Sequence, residues 1–180
     1  MQFKILSILI ISFLFIGCSQ KNNNYAKTTD ILHEQSLTQT QKSVLKKGII
    51  TKVFFITTYI SHINHHLVTI DENLEKFIVS VYIPSGEDKA RYDNLLFKVN
   101  GKKPISIEEL KKGDELLYLL PASNPWSRYY IVIAPIDNSI RGVFFEAGVT
   151  DIGITKMEFH DRYGNLPSGG TMGFKTTIVD

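Results

Sequence analysis

The chain has 180 residues, 43% apolar and 21% charged, a composition that fits one ordinary globular domain and excludes a disordered, collagenous or multi-span membrane chain. Twenty lysines and arginines against eighteen acids give a net charge of +2, too little for an electrostatic footprint on nucleic acid. A single cysteine excludes an intramolecular disulfide and any multi-thiolate zinc or iron-sulfur centre.

Met1 to Lys4 makes a short basic start, and Ile5 to Ile16 is an apolar run interrupted only by small hydroxyls. Crossing hydrocarbon as a helix takes roughly 20 residues, so this shorter run, followed at once by Ser19, Gln20, Lys21 and three asparagines, reads as a signal-peptide core that is cut away. Phe15-Ile16-Gly17-Cys18 resembles the bacterial lipobox, with Phe15 where that family prefers Leu. The resemblance implies removal of residues 1–17, fatty acylation of Cys18, and Cys18 as the new first residue. Each buried methylene is worth roughly 0.8 kcal/mol, so two or three acyl chains hold such a protein on a membrane. Ser19, directly after the cysteine, resembles the outer-membrane sorting signal of Gram-negative lipoproteins. Loss of the leader removes one charge, Lys4, and leaves +1.

Residues 18–29 are polar and read as a flexible tether. About eleven extended residues reach roughly 35 Å. Residues 30–180 form the domain. Asp30 to Lys47 fits a helix face or a polar edge strand, and the strand is favoured over Thr38 to Leu45. From Ile49 the pattern is β. Ile49 to Ile60 is one long strand or two joined at a bend. Phe77, Val79, Val81 and Ile83 alternate with Ile78, Ser80 and Tyr82. Leu95, Phe97 and Val99 lead into Asn100-Gly101, a hairpin-turn pair, with Ile105 and Ile107 on the return strand. Ser106 and Glu109 have capping-box spacing and predict one short helix ended by Gly113. Further strands are expected at Leu116 to Leu120, Tyr129 to Ala134, Arg141 to Ala147, Ile152 to His160 and Gly173 to Val179. Short strands without a crossover helix predict an all-β antiparallel sandwich of about seven to nine strands; a small closed barrel is the competitor.

His62, His65 and His66 lie between two expected strands, and three imidazoles within five residues are candidate ligands for zinc, copper or nickel, with Asp71 and Glu72 near enough in sequence to complete a shell. The competing reading is a polar strand connection. Ser43 and Lys46 match S-x-x-K, but the S-D-N and K-T-G partners of that chemistry are missing. Glu108, Glu109, Asp114 and Glu115 are mixed with Lys111 and Lys112 and read as a solvated face; Asp161-Arg162, beside His160, reads as a strand-end turn. Phosphate-binding glycine motifs are absent. The sequence thus offers no catalytic residues and no cofactor site. Trp126, Arg128, Tyr129 and Tyr130 gather the residue types that dominate interface hot spots and form a candidate binding surface, with sandwich core as the alternative.

The stretch from Thr51 to Glu146, notably TTYISHIN, KFIVSVYIP, FKVNGKKPISIEEL and NPWSRYYIVIAP, resembles small immunoglobulin-like lipoproteins of Gram-negative bacteria. That resemblance implies an immunoglobulin-like sandwich, protein contacts or assembly, and no catalytic residues to carry over. The expectation is a lipid-anchored outer-membrane protein, facing the periplasm or the outside, that acts as a non-catalytic binding or assembly module. Its partners would be the membrane, through Cys18, and an envelope protein or a second copy of itself. A periplasmic metal-binding protein using His62, His65 and His66 is the alternative, and a hydrolase assembled from distant residues is a further rival.

Overall fold

Among the described residues, runs of β-branched and aromatic residues between turn signals fold as nine strands in two layers. The computed structural model describes residues 24–69, 71–84, 92–159 and 174–179. Helix α1, Asn24–Thr38, leads into β1 (Thr40–Lys47), β2 (Ile50–Tyr59), β3 (Leu74–Tyr82), β4 (Leu95–Val99) and β5 (Ser106–Leu110). A 3-10 helix at Glu115–Leu119 is followed by β6 (Arg128–Pro135), β7 (Val143–Val149), β8 (Gly153–Phe159) and β9 (Phe174–Val179). One sheet has the order β5-β6-β3-β2-β1-β9 and the other β4-β7-β8. All pairings are antiparallel except β1 with β9, which run parallel from Lys42 opposite Phe174 to Lys47 opposite Val179. The fold is an all-β sandwich. Among the described residues, no helix is long and apolar enough to cross a membrane.

Strand alternation sets the core. Val53, Phe55 and Tyr59 of β2, Phe77, Val79 and Val81 of β3, and Tyr130, Val132 and Ala134 of β6 turn inward against Phe97, Phe145, Ala147, Met157 and Phe159 of the smaller sheet. Phe77 sits at the centre of an aromatic cluster, 4.8 Å from Phe145, 5.0 Å from Tyr59 and 5.6 Å from Phe159 between ring centroids. Where the two layers meet at one side, the buried hydroxyl of Thr155 on β8 lies 2.6 Å from that of Ser43 on β1 and 3.2 Å from that of Thr177 on β9.

Four sequence expectations are corrected. Helix α1 occupies Asn24 to Thr29, part of the stretch read as a leash. It closes without glycine because hydroxyls satisfy two of its last carbonyls, Thr38 donating to Gln35 and Thr40 to Ser36; one turn earlier Ser36 donates to Leu32. Asn100 and Gly101 adopt the positive φ of a tight turn, at 51° and 77°, yet the chain returns for a single bridge, Val99 to Lys102, and then crosses to the other sheet. Pro104 has no N–H to continue the ladder, and Asn100 instead bonds both backbone groups of Phe144 at 2.8 Å, one through its side chain. Ser106 caps no helix, since its hydroxyl donates to Glu108 and the segment completes β6 as strand β5. A full ladder along β6 satisfies more backbone groups than one helical turn. Leu116 to Leu120, expected as a strand, instead falls in the 3-10 turn, where Asp114 accepts from the Leu116 N–H at 3.0 Å.

The outer face of the large sheet is divided. At one end Ile60, Ile63, Ile78, Val68 and Leu119 form a second buried cluster, joined by Leu32 of α1 and by Leu110, Leu116 and Leu120. At the other end Phe54, Ile56 and Tyr82 have no such cover.

Candidate contact surface

Between the 3-10 helix and β6, the chain makes a turn whose shape is dictated by one asparagine. The Asn124 carboxamide oxygen accepts from the N–H groups of Trp126, at 3.0 Å, and Ser127, at 2.8 Å, while its NH2 donates to the Ser127 hydroxyl at 2.9 Å. Asparagine followed by proline favours such a side-chain-closed turn, because the carboxamide stands in for a backbone group. Beneath it, the Tyr129 hydroxyl bonds both backbone groups of Asn124. The turn therefore carries Trp126 on a fixed support, and its indole is 74% exposed.

Beside Trp126 lies a depression of about 360 Å³ lined by Phe54, Ile56, Ser80, Tyr82, Asn124 and Ser127. Phe54 and Tyr82 are neighbours across β2 and β3, with ring centroids 5.8 Å apart. On the other side of the turn a second depression, of about 490 Å³, shares Asn124 and Ser127 but is lined by charged groups, Glu109, Lys112, Asp114 and Arg128 among them. Trp126 lines the first of these, and its neighbours Pro125 and Ser127 line the second.

The four residues of the expected binding surface separate. Trp126 is on the surface. Tyr129 and Tyr130 are 7% and 8% exposed, which corrects their assignment as surface contacts. Strand alternation turns Tyr130 into the core, 5.9 Å from Phe97, and pins Tyr129 under the turn on the opposite face. Burial, followed by the charge of Glu109, raises the Tyr130 phenol above its ordinary pKa. Arg128 lies over the Tyr92 ring at 4.2 Å and 3.9 Å from Glu109. Phe54, Ile56, Ser80 and Tyr82 were not foreseen as site residues.

The histidines do not assemble as a metal centre, which corrects that expectation. His65 and His66 stack on each other, centroids 4.2 Å apart, while His62 packs 5.1 Å from the Tyr59 ring. His65 Nδ1 is occupied as acceptor from the Leu67 N–H, and burial, then the charge of His66, lowers its pKa. Asp71 accepts from the Asn73 N–H in the turn entering β3. Among the described residues no group of three or more His, Cys, Asp or Glu is placed to hold a metal ion. The loop's evident task is packing, since it buries Ile63 and Val68.

Ser43 of the S-x-x-K match is engaged with Thr155, and the β-bulge between Leu45 and Lys46 shifts the strand register before the lysine. Glu109 and Asp114 form part of the charged hollow's lining, Glu108 accepts from Ser106, and Asp114 caps the 3-10 turn. Cys18, His160, Asp161 and Arg162 lie outside the described residues. No family model matches the chain, no curated protein matches it, and no solved structure matches it.

Proposed function

We propose that this protein is a non-catalytic binding module of the bacterial cell envelope, fixed to the outer membrane by fatty chains on Cys18 and making contact through the Trp126 face. The observation that carries the reading is an exposed indole on a hydrogen-bonded turn, next to a hollow with an aromatic and apolar wall at the uncovered end of the large sheet's outer face. A large aromatic held rigidly before binding loses little conformational freedom when it is covered, which is how a few residues come to dominate an interface. The lipobox-like Phe15-Ile16-Gly17-Cys18 and Ser19 support the membrane location, and the immunoglobulin-like resemblance of Thr51 to Glu146 supports a binding role.

Site-specific photocrosslinking in intact cells tests this reading. A photoreactive residue at position 126 is expected to give discrete adducts, whereas the same residue at exposed Ile154, on the smaller sheet, is expected to give none. Equal yields from the two positions would contradict it.

A further inference from the structure

Ser80 on β3 is 4% exposed. Its neighbours Val79 and Val81 turn into the core, so Ser80 turns outward, where it lines the hollow beside Trp126. The other lining groups narrow the choice. Phe54, Ile56 and Tyr82 provide apolar and aromatic surface, Ser80, Ser127, Asn124 and the Tyr82 hydroxyl provide polar groups, and among the described residues the lining includes no Asp, Glu, Lys, Arg or His. The volume of about 360 Å³ falls within the range of small-ligand sites, roughly 300–1,000 Å³.

We infer that this hollow holds a sugar ring of a neutral glycan, stacked on Trp126 with one hydroxyl reaching Ser80. This rests on the Trp126 face being the contact surface, and it names the chemistry of what is contacted. A pyranose has an apolar C–H face and a rim of hydroxyls, which matches an aromatic wall beside uncharged donors and acceptors. Among the described residues the hollow offers no counter-charge to an anionic or cationic ligand. An extended peptide would add to a free strand edge, but β2 and β3 are interior strands with both edges already paired. The turn is closed by its own hydrogen bonds before any ligand arrives, so binding orders little.

Trp126 is the chain's only tryptophan, so its emission reports this site alone. The mature lipoprotein, in a detergent without a sugar headgroup, is titrated with N,N′,N″-triacetylchitotriose and with maltotriose. At least one is expected to give a saturable change in emission below about 10 mM, the weak end of specific affinities. Ser80→Ala removes one hydroxyl from the lining of the hollow and leaves the strand's inward-facing neighbours in place, so it is expected to fold as the wild type does while binding the sugar about three- to ten-fold more weakly, the worth of one hydrogen bond. A saturable response identical in Ser80→Ala would overturn the site as described. No response to either sugar, with crosslinks from position 126 to an envelope protein still forming, would overturn the glycan and leave the binding module standing. No response and no crosslinks would remove both.

Discussion

The hydroxyl of Tyr129 closes on both backbone groups of Asn124, accepting from its N–H at 2.6 Å and donating to its carbonyl at 2.9 Å. A single buried side chain thereby fixes the turn that presents Trp126. Tyr129→Phe keeps the ring and deletes both bonds, leaving an N–H and a carbonyl in a part-buried site without that partner. The expected result is a loss of about 1–2 kcal/mol of stability, with lower emission anisotropy and stronger acrylamide quenching of Trp126. Unchanged anisotropy and quenching would mean that the turn holds itself without Tyr129.

A second buried pair sits inside the sandwich. Tyr59 on β2 donates to the carboxylate of Glu75 on β3, and both side chains are fully buried. Tyr59→Phe deletes this bond in a low-dielectric site, at a cost of about 1.5–3 kcal/mol, whereas Glu75→Gln keeps an amide oxygen as a weaker acceptor and is expected to cost less. The double variant is expected to cost less than the sum of the two, because Tyr59→Phe already removes the bond that Glu75→Gln weakens. Urea midpoints of the three variants check this; strict additivity would contradict it.

Acid stability follows from Asp137. The Lys102 ammonium, 2.8 Å away, followed by the hydroxyl and N–H of Ser139, holds this carboxyl well below the usual carboxylate range. A depressed pKa means that the folded state binds the proton less readily than the unfolded chain. The contribution is therefore fully present above the unfolded value of about 4, and is lost as pH falls through the folded value. Asp137→Asn is expected to lose stability less steeply than the wild type as pH is lowered from about 4. Denaturant midpoints along an acid series test the slope, and parallel curves would contradict the assignment.

Membrane attachment makes its own prediction. Cells grown with an alkyne-bearing palmitate are expected to label the protein, and Cys18→Ala is expected to abolish the label and leave the leader uncut. A labelled Cys18→Ala chain, or an unlabelled wild type of full length in the cytosol, would refute the lipobox reading.

The strand pattern was largely legible because side-chain alternation is a local property: β3, β4 and β6 show it in their own residues. What alternation does not encode is the partner of each strand. Asn100-Gly101 was read correctly as a turn, but only the placement of β6 decides that Ser106 to Leu110 completes a sheet rather than opening a helix. The Trp126 face was half legible for a related reason. Hot-spot composition marked the segment, yet Tyr129 and Tyr130 are separated from Trp126 by burial that depends on which way β6 faces. The unforeseen lining residues had a faint signal. In β2, Phe54 and Ile56 are apolar as well as Phe55, so both faces of the strand were built for contact. The inner face meets the sandwich core, whereas the covering cluster of Ile60 and Leu119 reaches only one end of the outer face. The histidines misled because nearness in sequence says nothing of side-chain direction, and Ile63 and Val68 take the buried positions in that loop.

Oxidative footprinting tests most directly whether the Trp126 face is the contact surface. The protein is labelled by hydroxyl radicals once in isolated outer membranes and once after purification into micelles, and modification is read residue by residue. The account predicts that Trp126, Phe54 and Tyr82 are protected together in the membranes, while exposed Ile154 on the opposite sheet is modified equally in both. Equal modification of Trp126 in the two states, or protection centred on the smaller sheet, would contradict it.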